Sequence, residues 1–352
     1  MPQQHPEQIY PFDWFSLLFY LASRYEEYLP YEADQWGRFP ASSSAAHQAG
    51  FLQRPLLQEW ALDFAQRLLT HYPHLVLQPP QYQFTPTYDI DHAFAFHAKP
   101  LWRQAGAFAR HLLRRDATAL KRHLQTLRQV QQDPYNVYEY LDDLAQTHQL
   151  KPLYFWLWDY GPHDKILPHT SPALQVLIQR HAQHYAVGIH PSFGSNASLE
   201  QLRKEYQRLQ GLLQQPVTRS RQHYLRLHLP TTYRRLLALG VTDDYTLGYA
   251  QALGFRASLA LPYHWYDLER ETPTRLRLHP FAIMDVTLNT YLGLSPEAAQ
   301  DAARPVVAAC RQVGGHLMTI WHNSSLCEAW QWVGWRGVYE GLLAQARTTP
   351  KG

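Results

Sequence analysis

Cysteine is scarce in this chain of 352 residues, which contains only Cys310 and Cys327. Neither belongs to a Cys-x-x-Cys pair, and this argues against both a disulfide framework and a cysteine zinc site. Charged residues are also few, at 17% of the chain, while 45% of the residues are hydrophobic. That composition is typical of a globular protein, and the length fits either one large α/β barrel or two domains.

Long hydrophobic runs are missing as well. The nearest candidate, residues 14–22, is too short to span a bilayer. It runs directly into the charged residues Arg24, Glu26 and Glu27. The first seven residues do not show the basic segment followed by an apolar one that marks a secretory signal. We therefore expect a soluble protein of the cytoplasm.

Aromatic residues and histidine are abundant, with 11 Trp, 23 Tyr and 20 His. Flat aromatic faces pack well on the C–H surfaces of sugars, and they suit any well-packed core equally. Five residues are candidates for the wall of a cleft, with the core as the alternative for each: Trp156, Trp158, Tyr160, Trp265 and Trp321.

Positive charge is concentrated between residues 97 and 128, where eight Lys and Arg residues stand against one acid, Asp116. Apolar residues in this segment recur at helical spacing, which predicts one or two basic amphipathic helices. Such a surface could make weak contact with an anionic membrane, and a merely solvated helix face is the commoner explanation. We expect no nucleic-acid partner, and the sequence leaves the oligomeric state open.

From residue 81 onward, short apolar strands alternate with helical stretches, which predicts a mostly parallel sheet with crossover helices. Seven or eight such units closing on themselves would form a distorted TIM-like (β/α) barrel. The predicted strands are Phe84–Asp91, Leu153–Trp158, Ala186–His190, Thr218–Leu225, Gly240–Tyr245, Phe255–Leu259, Leu278–Leu288 and His316–His322. Residues 1–80 instead predict a small helical N-terminal domain or cap. The barrel would cover residues 81–345, with a basic helical insertion at about 97–130.

Polar residues collect where the predicted strands end. In the run Thr87-Tyr88-Asp89-Ile90-Asp91, the period of a strand places the two aspartates on the same face, about 7 Å apart. Two like charges so placed repel unless a cation lies between them or one carries a proton. Other strand ends carry His190, Arg221 and His223, the pair Asp243-Asp244, Asp285 and His322. Singly each has a structural explanation, but together they indicate an enzyme.

These strand ends resemble the motifs of the polysaccharide deacetylase family, also called the NodB-homology or carbohydrate esterase family 4 group, in a divergent bacterial branch. The run Thr87–Asp91 is similar to the first motif, Thr-Phe-Asp-Asp, with one residue inserted. His190-Pro191-Ser192-Phe193-Gly194 half matches the second, His-Ser/Thr-x-x-His. Arg221-Gln222-His223-Tyr224 resembles the third, Arg-x-Pro-aromatic. Ile320-Trp321-His322 resembles the fifth, Leu-x-His. Residues 23–29 with 37–39 resemble an extension that precedes the barrel in that branch.

The resemblance implies a role for each matched residue. Asp89 would be the general base, oriented by Arg221, and His322 the general acid. Asp91 and His190 would be metal ligands. The fourth motif is diffuse, and Asp244 or Asp285 could take its acidic part.

The chain departs from the family at Gly194, where a second metal-binding histidine is expected. A zinc-type catalytic site needs three protein ligands. His223 follows the adjacent predicted strand, and we infer from that placement that it supplies the third ligand of a divalent metal, expected to be zinc. A metal-free barrel, in which His190 and His223 only form hydrogen bonds, remains the alternative.

Three functions are therefore compatible with the sequence. The first is a metal-dependent hydrolase that removes N- or O-acetyl groups from a carbohydrate or glycan-like substrate. The second is a metal-independent amidohydrolase on the same barrel. The third is a non-catalytic glycan-binding relative.

Overall fold

The computed structural model describes residues 12–159, 161, 163, 164 and 166–347. Eleven α-helices lie in these ranges: α1 Trp14–Ala22, α2 Ala45–Gln48, α3 Leu56–His71, α4 Leu101–Leu113, α5 Ala117–Leu127, α6 Tyr138–Thr147, α7 Pro172–His184, α8 Leu199–Leu213, α9 Thr231–Ala238, α10 Pro296–Gln312 and α11 Trp335–Arg347. No helix in the described ranges is both long and apolar enough to cross a bilayer.

One mixed sheet of nine strands forms the centre of the molecule. Its strands are β1 Gln83–Ile90, β2 Leu153–Leu157, β3 Ala186–His190, β4 Arg219–Ser220, β5 Asp243–Asp244, β6 Tyr263–Asp267, β7 Thr272–Leu278, β8 Ile283–Met284 and β9 His316–His322. Their spatial order is β6-β7-β5-β4-β3-β2-β1-β9-β8, and all neighbours are parallel except the antiparallel pair β6 and β7. The chain is therefore an α/β protein, as the alternation of strands and helices predicted.

The sheet does not close into a hydrogen-bonded barrel within the described residues. Its edge strands are β6 and β8, and no ladder joins them. Closure needs strands of matched length and stagger, but β4, β5 and β8 contain only two residues each. The predicted barrel is therefore not confirmed, and the described residues form an open nine-stranded sheet.

Four of the predicted strands differ from the structure. The predicted strand Gly240–Tyr245 is shortened to β5, and Leu278–Leu288 contains only the last residue of β7 and the two residues of β8. Residues 255–259 form turns and bends instead of a strand, and the predicted strand Thr218–Leu225 is shortened to β4. The hairpin of β6 and β7 was not predicted, because β7 begins with the exposed residues Thr272 and Pro273, and a proline in a run argues against a strand.

The core explains why the central strands form where they do. All five residues of β2 are buried, and the last five of β1 are buried too, as expected for strands covered on both faces. The tryptophans proposed for a cleft wall, Trp156, Trp158, Trp265 and Trp321, are at most 2% exposed and belong to this core. The fifth candidate, Tyr160, lies outside the described residues.

The N-terminal segment packs, through buried charges, against the part of the chain between β5 and β6. Glu27 accepts a hydrogen bond from Arg256 Nε at 2.8 Å and one from Arg24 Nε at 2.6 Å, and all three side chains are buried. Arg24 also donates to the hydroxyl of Tyr249 at 2.9 Å. Since unpaired buried charges are costly, these contacts fix the position of the segment on the rest of the chain.

Candidate active site

The site is assembled at the carboxyl end of the parallel strands. Asp89 on β1 is in register with His322, the last residue of β9, and with Phe155 on β2. His190 is the last residue of β3, and Arg221 follows β4. Parallel strands bring their carboxyl ends to the same edge, so residues from distant parts of the sequence meet here.

Asp89 is held by a buried ion pair. Arg221 Nη1 lies 2.7 Å from Asp89 Oδ1 and also donates to Thr87 Oγ1 at 2.7 Å. Its Nε donates to the Tyr245 carbonyl at 3.0 Å, and its guanidinium lies 4.3 Å from the ring centroid of Phe155. These contacts fix Arg221 from several sides, so it can hold the Asp89 carboxylate in one orientation.

Asp91, His190 and His223 form a group with the composition of a metal site. One ligand atom from each lies within 4.8 Å of the others. His190 Nε2 is 3.3 Å from Asp91 Oδ1, and His223 Nε2 is 3.5 Å from Asp91 Oδ2. The structure thus brings together the three residues that the sequence predicted as ligands.

The outer nitrogens of both imidazoles are occupied, which leaves Nε2 of each for the centre of the group. His190 Nδ1 lies 2.6 Å from the Arg221 carbonyl oxygen. His223 Nδ1 lies 2.6 Å from Oδ1 of Asp164, a fully buried carboxylate that also accepts from the Phe193 N–H. Partners of this kind orient histidine ligands in metal sites. Asp164 was not predicted, because no strand end or motif in the sequence marks it.

Two buried polar atoms without hydrogen-bond partners in the described part of the chain also indicate a metal at this position. Asp91 Oδ1 and His190 Nε2 are buried, and neither makes a hydrogen bond with a described residue. Buried polar atoms are rarely left without a partner in native proteins. One carboxylate and two imidazoles match the nitrogen and oxygen ligands that zinc accepts, with a fourth position left for water or substrate.

Asp91 and His223 shift each other's pKa. Burial raises the pKa of Asp91, but His223, His190 and His322 outweigh burial and hold that pKa well below its usual range. Burial lowers the pKa of His223, but Asp91 and Asp164 outweigh it and raise the pKa to about 9. Without a metal, protons therefore supply the positive charge that Asp91 requires, and a metal would compete with them.

His322 and Asp285 form a second pair at the edge of the group. His322 Nδ1 lies 2.9 Å from Asp285 Oδ1, and its Nε2 lies 3.7 Å from Asp91 Oδ2. Burial lowers the pKa of His322, but the charge and hydrogen bond of Asp285 and the charge of Asp91 raise it to about 10. His322 is therefore poised as an imidazolium that can give up a proton.

Asp244, the other acid proposed for the fourth motif, is placed apart from this pair. It is fully buried, and its oxygens accept from Ser220 Oγ at 2.7 Å and from Thr246 Oγ1 at 2.9 Å. Burial, partly opposed by these hydrogen bonds, raises the pKa of Asp244 to about 6. Neither acid lines the cavity described next, but Asp285, and not Asp244, lies within hydrogen-bond distance of His322.

A cavity of about 170 Å³ gives access to these groups. Asp89, Asp91, His190, His223 and His322 all line it. Its other lining residues are Arg38, Gln222, Tyr224, Leu225, Ala250, Met284, Val286 and Tyr291. Because the sequence predicts catalytic or metal-binding roles for these five residues, we call it the catalytic cavity.

Arg38 comes from the N-terminal segment and reaches the catalytic cavity from outside the sheet. It is paired with Asp34 at 2.7 Å and donates to the Tyr224 carbonyl at 3.0 Å and the Tyr291 hydroxyl at 3.1 Å. Residue 38 belongs to the segment whose sequence resembles the extension that precedes the barrel. Only the fold brings Arg38 to the catalytic cavity.

Gly194, where the resemblance predicted a histidine, contributes no side chain to the group. It begins a short turn at Gly194–Asn196, and a Cβ at this position would lie 3.1 Å from the Gln201 side chain. His223 lies beside His190 instead, with ring centroids 4.9 Å apart.

Comparisons with known proteins add little to this geometry. The family described as "Family of unknown function (DUF7033)" matches residues 2–73, which end before β1 and before every residue of the catalytic cavity except Arg38. No curated protein matches the sequence significantly. A crystal structure described as a "putative polysaccharide deacetylase" from Mycobacterium smegmatis is 16% identical, with a TM-score of 0.47, over 76% of this chain and 87% of that one. Likeness at this level says nothing about chemistry, which has to be inferred from the site itself.

Proposed function

We propose that this protein is a metal-dependent hydrolase that removes N- or O-acetyl groups from a carbohydrate or glycan-like substrate. One observation carries the proposal. An Arg-bound carboxylate and a carboxylate-bound imidazole both lie within 4 Å of the same three-ligand group: Asp89 Oδ2 is 3.8 Å from His190 Nε2, and His322 Nε2 is 3.7 Å from Asp91 Oδ2. A base, an acid and a metal position so close together suit hydrolysis of an amide or ester.

Asp91, His190 and His223 would hold the metal, for which we propose zinc. Such an ion, when bound, acidifies water and polarises a carbonyl group. The chain supplies the rest of the chemistry.

Asp89 is the proposed general base. Arg221 fixes the direction of its free oxygen, because Oδ1 is engaged by the guanidinium. Oδ2 is thus left to accept a proton from the attacking water. Asp89 is 2% exposed, so bulk solvent competes little for this oxygen.

His322 is the proposed general acid. Its Nδ1 is held by Asp285, which leaves Nε2 to donate a proton to the leaving amine or alcohol. The buried carboxylate of Asp285 keeps the ring oriented and stabilises its charged form. Asp244 takes no part in this proposal.

The Tyr224 N–H is a proposed donor to the developing oxyanion. Tyr224 lines the catalytic cavity, and its carbonyl oxygen is held by Arg38 Nη1 at 3.0 Å. Tyr224 and Leu225 both have left-handed backbone, with φ of 58° and 55°, which is strained for such residues. Strain of this kind is concentrated at functional sites, where it fixes the direction of backbone groups.

The N-terminal segment is proposed to act in substrate choice. We place the domain boundary at about residue 80, with the sheet domain from 81 to 345 and a helical insertion at 97–130. Arg38 gives the segment a cationic group at the catalytic cavity, where it can donate hydrogen bonds to sugar hydroxyls.

Acetate release from acetylated chitooligosaccharides, measured before and after chelation of the full-length protein, tests the proposal. We expect turnover to disappear with the metal and to return when zinc is restored. Unchanged turnover in chelator would instead support a metal-independent amidohydrolase.

The variant Asp89→Asn separates catalysis from binding. We expect a loss of roughly 10²- to 10⁴-fold in kcat with metal content retained, because Asp89 is not in the ligand set. If the unaltered protein binds glycans but never releases acetate from N- or O-acetylated sugars, the chain is a non-catalytic binding protein and our assignment fails.

A further inference from the structure

A second cavity, of about 640 Å³, has a lining that begins one residue along the chain from that of the catalytic cavity. It lies between the loop that follows β1 and the helices α4 and α5. Asp91 lines the catalytic cavity, and the next residue, His92, lines the second one. A ligand that occupies the second cavity can therefore extend towards the proposed catalytic groups.

The second cavity is strongly basic. Its lining includes the cations Lys99, Arg103, Arg110 and Arg114, against one acid, Asp116. Asp116 Oδ1 accepts the Ala119 N–H at 2.8 Å as the N-cap of α5. This carboxylate is therefore engaged in capping, and the positive charge of the lining predominates.

The charged form of Lys99 is disfavoured by burial and by the neighbouring cations of the cavity. Burial lowers the pKa of Lys99, Asp133 opposes that effect, and Arg103 and Arg110 lower the pKa further. Asp133 is itself engaged by the backbone N–H groups of residues 95–97 at 2.8–2.9 Å. Like charges gathered in a partly desolvated cavity are stabilised by an anion that binds among them.

A buried imidazole adds a hydrogen-bonding group to the lining. His123 is fully buried, and its Nε2 lies 2.5 Å from Gln104 Oε1. The Gln104 amide nitrogen donates to the Phe96 carbonyl, so Oε1 must accept and His123 Nε2 must donate. His123 Nδ1 is then an acceptor, and it has no partner among the described residues. An acceptor beside several cations suits a hydroxyl group carried by an anionic ligand.

We propose that this basic cavity binds the phosphate group of a phosphorylated carbohydrate, whose acetyl group reaches the catalytic cavity. The inference rests on the proposed function and specifies its substrate class. The phosphate could belong to a free sugar phosphate or to a sugar linked to a phospholipid. Exposed apolar side chains at the same helices, Trp102 at 68% and Leu113 at 85%, would suit the second source.

Calorimetric titration of the full-length protein with inorganic phosphate tests the anion site. We expect saturable binding that weakens roughly 10- to 100-fold in the double variant Lys99→Ala/Arg110→Ala, because two charged donors are lost. The matched control is Lys121→Ala/Arg128→Ala, which removes the same charge from exposed positions outside the cavity lining. Its affinity should stay within about twofold of the unaltered protein.

Absence of saturable phosphate binding, or equal weakening in both double variants, would overturn the anion site. Circular dichroism and the thermal midpoint of each variant show whether it is folded. For an unfolded double variant, the single substitution Arg110→Gln takes its place, since Arg110 is exposed and its loss leaves the core intact.

Flotation with phosphatidylcholine vesicles, with and without phosphatidylglycerol, separates the two sources. Binding that requires phosphatidylglycerol and is lost in Leu113→Ser supports a lipid-linked phosphate. Phosphate binding without flotation supports a free sugar phosphate.

Failure of this inference is distinguishable from failure of the proposed function. Acetate release from neutral acetylated sugars without phosphate binding would overturn the anion site alone. Phosphate binding retained in Asp89→Asn, with no acetate release by the unaltered protein from N-acetylglucosamine 1-phosphate or neutral acetylated sugars, would overturn the hydrolase alone.

Discussion

Replacing Asp164 with asparagine should weaken metal binding without removing a ligand. Asp164 is fully buried, and its Oδ1 lies 2.6 Å from His223 Nδ1. Asparagine keeps an acceptor oxygen of the same size at this position, so the imidazole should keep its orientation. What changes is the charge that supports His223 from behind.

The magnitude follows from that difference in charge. A hydrogen bond to a charged group contributes about 1.5–3 kcal/mol, whereas a neutral one contributes about 0.5–1.5 kcal/mol. The substitution should therefore cost about 1–2 kcal/mol of metal binding, or roughly a five- to thirtyfold increase in the dissociation constant for zinc. In the metal-free protein, the pKa of His223 should fall from about 9, because Asp164 contributes to raising it.

Competition with a chelator of known affinity measures the dissociation constant, and NMR titration measures the pKa of His223. Asp267→Asn is the matched control, since Asp267 is 1% exposed and is paired with Arg234 at 2.7 Å away from the cavity. It should lower stability and leave zinc affinity unchanged. A zinc affinity of Asp164→Asn within twofold of the unaltered protein would refute the reasoning, as would an equal loss in the control.

Three further outcomes are expected. Asp285→Asn should move the alkaline limb of the kcat/KM profile to lower pH, because it removes the charge that raises the pKa of His322. Asp244→Asn should leave that limb in place. The reverse pattern would exchange the roles of the two acids. Glu27→Gln should cost about 3 kcal/mol in the free energy of unfolding at neutral pH, because it removes the buried carboxylate that Arg24 and Arg256 share and leaves only Glu26 paired with Arg24. Burial raises the pKa of Glu27, but its arginine partners outweigh burial and lower that pKa overall. The stability contributed by Glu27 is therefore present above about pH 4.5 and lost as the pH falls further. Denaturant titrations showing the same pH dependence in the unaltered protein and in Glu27→Gln would contradict the assignment. Arg38→Met should raise KM for acetylated oligosaccharides by roughly tenfold with little change in kcat, and a change in the thermal midpoint alone would assign Arg38 to folding.

The polar residues at the ends of the strands could be predicted from the sequence, because strands have a period of two and end where the apolar run ends. That rule placed Asp89, Asp91, His190 and His322 at one edge of a sheet, and the structure has them there. His223 follows a two-residue strand, yet its position in the chain still carried it to the group.

Other members of the site depended on contacts between residues far apart in the sequence. Asp164 meets His223 across 59 positions, and Arg38 meets Tyr224 across 186. No local pattern encodes such pairs, because they are set by how loops and the N-terminal segment pack. The same holds for the choice of Asp285 beside His322, since both candidate acids follow apolar runs of similar appearance.

The sequence by itself determined that the chain is an α/β protein and at which strand ends its polar residues collect, because local periodicity and side-chain chemistry are properties of each stretch of sequence. Only the tertiary structure decided that the sheet stays open, that Asp244 is engaged elsewhere, and that a basic cavity forms between the loop after β1 and the helices α4 and α5. These features depend on strand length, stagger and long-range packing, which involve the whole chain at once.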